Sequence, residues 1–218
     1  MPTAWVTGAS GSWGGAVTLE LFRRGYDVAA LGRHDVPALA AWAERVGRHW
    51  SFVPLDLSAG GAVASDETPD VLVHCAVSTE GDREALIRAN YLAPTALLDT
   101  VADAMLKRGS GRIGVFMAQN ARLGLEGLAD YSAPQGALWT WCESLQEELE
   151  PIEGAVTLTR VIPPRTSSAA QRFVTSRSGR TAKLYEPNAG PLVSAILAGK
   201  RRAGRRPLLV AAAMALRG

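Results

Sequence analysis

Short apolar runs rich in β-branched residues recur along this chain, separated by segments of helical period, and this alternation constrains the fold more than any other feature. The runs are residues 4–8, 27–32, 50–55, 70–76, 112–118, 155–162 and 207–212. A chain that leaves a strand through a helix re-enters the sheet in the same direction, so the pattern implies parallel pairing. The expected fold is α/β: a doubly wound parallel sheet of about seven strands in a three-layer α/β/α arrangement. With 218 residues the chain suffices for one such domain spanning 1–218 and is too short for two.

Between the runs, residues 14–24 form a helical segment whose Val17, Leu21 and Phe22 share one stripe, closed by Gly25. A second covers 36–46 and closes at Gly47. The third crossover, 58–69, carries Gly60, Gly61 and Pro69 and has room for a turn or two of helix at most. Longer helices are expected over 82–108 and 131–149, the latter buried along Leu138, Cys142, Leu145 and Leu149. Trp139 and Trp141 fall largely off that stripe, as a partner face or as half-buried structural residues.

Composition excludes several classes. A formal charge of +2 gives no electrostatic case for nucleic acid, and the basic run Lys200, Arg201, Arg202, Arg205 and Arg206 reads as a solvated helix end and turn. Cys75 and Cys142 sit singly in apolar segments, as buried thiols of a reducing compartment rather than a metal site or disulfide. No apolar run is long enough to span a membrane, and no leader precedes the first strand, so a cytoplasmic protein is expected.

The segment TGASGSWGG (7–15) joins the first strand to the first helix, where a dinucleotide's phosphates need close backbone approach and the positive end of a helix. It resembles the TGxxxGxG fingerprint of the short-chain dehydrogenase/reductase family, a Rossmann-type fold. Thr7, Gly8 and Gly14 match; Ser12 stands at the middle glycine, with Gly11 one residue earlier. Ser10 and Trp13 complete this cofactor-binding loop. After the second strand no carboxylate is present to hold ribose hydroxyls; Arg33 instead offers a guanidinium to a 2′-phosphate, which favours NADP(H) over NAD(H). The resemblance further implies adenine contacts at Asp56 and Leu57, and His74, Cys75 and Ala76 stand where the family has its NAG motif.

The family reduces carbonyls with a tyrosine, a lysine, a serine and an asparagine. Here Tyr131 aligns with the tyrosine and Asn90 with the asparagine, while Gln135 replaces the lysine and Ala118 the serine. Pro94, four residues beyond Asn90, has no amide hydrogen, so the Asn90 carbonyl loses its helical donor. That kink serves either a relay water or packing alone. A cation 4–5 Å from a tyrosine stabilises its anion by roughly 3–4 kcal/mol at an effective dielectric of 20. Without the lysine the reaction slows by on the order of 10² to 10³, and alcohol oxidation suffers more than reduction. Gln119 and Asn120 flank the serine position as substitute polarisers, and Gln135 is placed to reach a ribose hydroxyl. Arg122 and Arg165 read as surface arginines or as anchors for an acidic substrate.

After the sixth strand, residues 161–168 resemble the family's segment over the nicotinamide: Pro163 is kept, Pro164 replaces its glycine, and Thr166 or Ser168 meets the carboxamide. A substrate lid follows over about 165–187. Three functions fit: a reductase of a small carbonyl compound, a non-redox enzyme on the same cleft, or a catalytically silent subunit. The resemblance also implies a homo- or hetero-oligomer built through the helices 82–108 and 131–149.

Overall fold

In the first strand, β1 (Thr3–Thr7), Ala4 and Val6 face one side and Trp5 the other, and all three are buried. A strand covered on both faces belongs in the middle of a sheet. The computed structural model describes residues 1–60, 63, 67–118, 121–122, 124, 126–150, 155–166, 172 and 186–204. In it β1 pairs in parallel with β2 (Asp27–Gly32) on one side and with β4 (Val71–His74) on the other. With β3 (Trp50–Pro54), β5 (Gly111–Phe116), β6 (Val156–Ile162) and β7 (Arg202–Gly204), the order is β3-β2-β1-β4-β5-β6-β7, and every pairing is parallel. The seventh strand lies before the run expected at 207–212, which is outside the described residues.

Two apolar clusters sandwich the sheet. On one face Trp5, Leu72, Ile113 and Leu158 meet α4 (Ala93–Arg108) and α5 (Ala129–Leu149); on the other Val6, Val28, Val73 and Val161 meet α1 (Ser12–Arg23), α2 (Pro37–Arg45) and α6 (Gly190–Leu197). The stripe Leu138, Cys142, Leu145 and Leu149 is buried as its spacing requires. Residues 57–60 form turns, and no helix occupies the third crossover among its described residues.

Two expectations need correction. The helix expected over 82–108 is three pieces: α3 (Arg83–Ile87), a π-helical turn over Arg88–Leu92, and α4. Pro94 cannot donate to Asn90, and the ladder widens, with Ala93 N–H reaching back five residues to the Arg88 carbonyl. Trp139 is not an exposed partner face. It is 3% exposed, with the Arg160 guanidinium 4.5 Å from its ring centre and those of Arg122 and Arg202 at 5.4 and 5.8 Å. Arg160, itself buried, is ion-paired with Glu143, so the indole serves as the apolar lid of an internal charge. The basic run likewise engages the protein: Arg201 pairs with Glu147 and Glu150, and Arg202 with Glu143.

Among the described residues no helix is long and apolar enough to cross a membrane. Packing is tight at the head of α1, where a Cβ on Gly14 would lie 2.0 Å from the Gly8 carbonyl oxygen, a contact between two backbones with no side chain to yield. Gly14→Ala is therefore expected to cost about 3 kcal/mol, the upper end of ordinary overpacking. Urea unfolding measures it, and an unchanged midpoint would refute the packing described.

Candidate functional site

The strand order reverses at β1, whose neighbours β2 and β4 lead away to opposite edges of the sheet, so the connections leaving β1 and β4 part and open a crevice at the carboxyl ends. A cleft of about 510 Å³ occupies this place. One wall runs from Gly8 to Gly14; the others come from the segments after β2, β3, β4, β5 and β6 and from the first turns of α5.

At the phosphate loop Gly8 adopts φ +71°, and a Cβ there would lie 2.8 Å from the backbone of Ala76. Gly11 caps α1 with no side-chain hydrogen bond, and the first turn carries no acid, leaving the positive end of the helix uncompensated by protein charge. Ser12, at the expected middle-glycine position, opens the helix. Trp13 leans on Phe116 with ring centres 5.8 Å apart, and both line the cleft.

Thr7 is fully buried and does not reach the cleft. Its Oγ1 accepts from the backbone N–H groups of Cys75 and Ala76 at 3.2 Å each and lies 2.9 Å from His74 Nδ1. With two donors already on that oxygen, the hydroxyl hydrogen goes to Nδ1, which requires neutral imidazole protonated on Nε2. Burial agrees, lowering the His74 pKa to about 4. Thr7 thus fixes the segment after β4 from behind. Cys75 and Ala76 line the cleft, and burial pushes the Cys75 thiol pKa up, so it is not a nucleophile here.

At the far end Arg33, exposed, lines the cleft with Asp56 and Leu57. Hydrogen bonds from the Ser58 side chain and backbone hold the Asp56 carboxyl below its ordinary value, with a further contribution from Arg33. At the near end stand Ala118, Tyr131, Gln135, Pro163 and Thr166, with Arg165 and Arg172 beside them. Tyr131 and Gln135, one turn apart on α5, are each 3% exposed. Gln135 Oε1 accepts from the Ala118 backbone N–H at 3.0 Å, so the residues at the expected lysine and serine positions are bonded to each other.

Asn90 is buried beneath this end and does not line the cleft. Its Oδ1 accepts from Ser78 N–H at 2.7 Å and its Nδ2 donates to the Ser78 carbonyl at 2.8 Å, so the side chain clamps the loop after β4. Arg122 stacks on Trp139 instead of lining the cleft. Asn120, Gln119 and Ser168 lie outside the described residues, as does most of the expected lid.

A family model described as short chain dehydrogenase matches residues 2–178. The chain belongs to the short-chain dehydrogenase/reductase family. It is 27% identical over 187 residues to the 3-ketodihydrosphingosine reductase of Bos taurus, covering 75% of this chain and 56% of that protein. The mouse reductase of the same name is covered to the same extent, so the chain spans little more than half of these relatives. An uncharacterized short-chain type dehydrogenase/reductase of Sinorhizobium fredii is 28% identical, with 85% of this chain and 78% of the relative covered. Among solved structures, a short-chain dehydrogenase of Sphingobium yanoikuyae in complex with NADPH superimposes with a TM-score of 0.77 at 20% identity over 93% of this chain and 87% of that one. A 3-oxoacyl (acyl-carrier-protein) reductase of Agrobacterium tumefaciens with NADP bound gives 0.75 at 19% identity over 92% and 88%.

Within this family member, most residues singled out in the sequence line the cleft, Thr7 and Asn90 excepted, while the Phe116 wall and the two amide clamps were missed. Phe116 was legible only as a strand residue, and no one-dimensional pattern pairs Gln135 with a backbone N–H seventeen residues away. Burial pushes the Tyr131 pKa up to about 12. The expected result of following absorbance at 295 nm, with Tyr131→Phe as reference, is ionisation of Tyr131 near pH 12 and a downward move of that midpoint in Gln135→Lys. A wild-type midpoint at or below the ordinary tyrosine value near 10 would contradict this account of the site.

Proposed function

We propose that this protein binds NADP(H) along the cleft and reduces a carbonyl compound beside Tyr131, in an active site where Gln135 and Ala118 stand in for a lysine and a serine. The observation that carries the reading is continuity: one cleft runs from Arg33 and Asp56, past the head of α1, to Tyr131 and Gln135. Its backbone cradle fits the dinucleotide, because Gly8 and Gly14 stand where a Cβ would strike protein and the α1 amides face the cleft without an acid beside them.

In this reading Gly8, Ser10, Ser12, Trp13 and Gly14 hold the pyrophosphate. Arg33 pairs with the 2′-phosphate, and Asp56 and Leu57 flank the adenine. Cys75, Ala76, Pro163 and Thr166 bound the nicotinamide half. NADPH, when bound, supplies the hydride. Tyr131 holds the proton that the reduced oxygen needs, and burial keeps that proton in place across the neutral range. Asn90 and Thr7 act from behind, fixing the loop after β4 against which the cofactor rests.

Two outcomes test this. In a fluorescence titration NADPH is expected to bind, and Arg33→Ala to weaken it by about 10- to 100-fold, the value of a charge-assisted phosphate contact, while NADH affinity changes little. Absence of NADPH binding overturns the reading; binding without consumption of any carbonyl in a broad panel points to a silent subunit. The pH dependence has a definite sign. Reduction uses protonated Tyr131 and is expected to be flat through the neutral and mildly alkaline range. Oxidation of the corresponding alcohol needs the tyrosinate, so its rate is expected to rise about tenfold per pH unit throughout that range. A plateau in the oxidation rate at neutral pH would show that Tyr131 is not the proton carrier.

A further inference from the structure

The Gln135 amide is oriented without ambiguity. The Ala118 backbone N–H can only donate, so the amide atom 3.0 Å from it is the oxygen, and Nε2 lies on the other arm. No hydrogen bond engages Nε2 among the described residues, and it is not among the buried polar atoms left without a partner. A residue that is 3% exposed and lines the cleft thus holds an amide nitrogen there with no acceptor among the described residues. A donor so held at the wall of the cleft is matched to an acceptor on a ligand.

Its position indicates which acceptor. The amide is anchored on the backbone of Ala118, the residue from which a hydroxyl would act if serine stood there, and Tyr131 lies one helical turn away on the same helix. Methyl-bearing Ala118 offers no donor of its own. We propose that Gln135 Nε2 donates to the carbonyl oxygen of the substrate, making with the Tyr131 hydroxyl a pair of uncharged donors for the developing oxyanion. The inference rests on the reductase reading above. Ala118 and Gln135 then form one unit: the main chain of the first aims the side chain of the second, and neither substitution performs the role alone. An amide carries no charge of its own and donates equally well across the neutral pH range.

The alternative acceptor is a ribose hydroxyl of the cofactor, and the experiment separates the two. Side-chain amide signals of ¹⁵N-labelled wild type are recorded alone, with NADP⁺, and with NADP⁺ plus the ketone that the NADPH assay shows to be consumed; NADP⁺ has no hydride to give, so this ternary complex does not turn over. Gln135→Glu identifies the Gln135 pair by its loss. It also keeps an oxygen for the Ala118 N–H while removing both donors. The expected result is a shift of the Gln135 signals on adding ketone, and a fall in kcat on the order of 10²-fold in Gln135→Glu with NADP⁺ affinity unchanged, the usual consequence of losing one oxyanion donor. Signals that move with NADP⁺ and not with ketone, or a variant impaired only in NADP⁺ binding, overturn the proposal in favour of the ribose. Should ketone be consumed with the signals unmoved, this inference alone falls; should NADPH bind and no ketone be consumed, the reductase reading falls and takes this inference with it.

Discussion

The close approach of three backbone segments at the head of α1 is the constraint on which the rest depends. Gly14 lies against the Gly8 carbonyl, Gly8 lies against Ala76, and Thr7 ties the N–H groups of residues 75 and 76 to the end of β1. Each contact needs a missing Cβ or a small hydroxyl. Together they bring the helix head, the first turn and the loop after β4 to one spot without filling it, and the cleft is the space that remains. Asn90 extends the same principle outward, fastening Ser78 from the π-helical turn that Pro94 imposes.

At the other end of the cleft the governing quantity is charge. A tyrosine buried as Tyr131 is keeps its proton well above neutrality. Such a group suits donation to an oxygen that is gaining electrons and suits poorly the removal of a proton from an alcohol. The amide at position 135 is consistent with that bias, since it offers hydrogen-bond donors without a charge. Under the proposed function the chemistry is directional, set by the burial of the tyrosine. Three arginines near α5 are engaged away from the cleft: Arg160, Arg122 and Arg202 gather at Trp139, on the side chain that the sequence pattern alone placed off the buried stripe.

Much of this was legible in the sequence. Six of the seven strands fall within a residue or two of their apolar runs, because a sheet buried on both faces leaves a dense β-branched signature. The tight turn between β1 and α1 was legible because its glycines stand at a strand-to-helix junction. What escaped was what depends on partners distant in sequence. The burial of Trp139 is decided by an arginine on β6, and helical period cannot see it. The division of the helix at 88–92 was half visible, since Pro94 announces a lost hydrogen bond but not how the ladder closes around it. The pairing of Gln135 with Ala118 was hidden entirely, as each reads by itself as the loss of a functional group.

The central claim is that the backbone cradle between β1 and α1 receives a dinucleotide whose far end lies beside Tyr131. A crystal structure of the protein grown with NADP⁺ tests it most directly. The account predicts two linked phosphates over the amides that open α1, the adenosine half between Arg33 and Asp56, and the nicotinamide ring against Tyr131. Clear density for the protein with Trp13 turned into that space and no nucleotide in the cleft would contradict it.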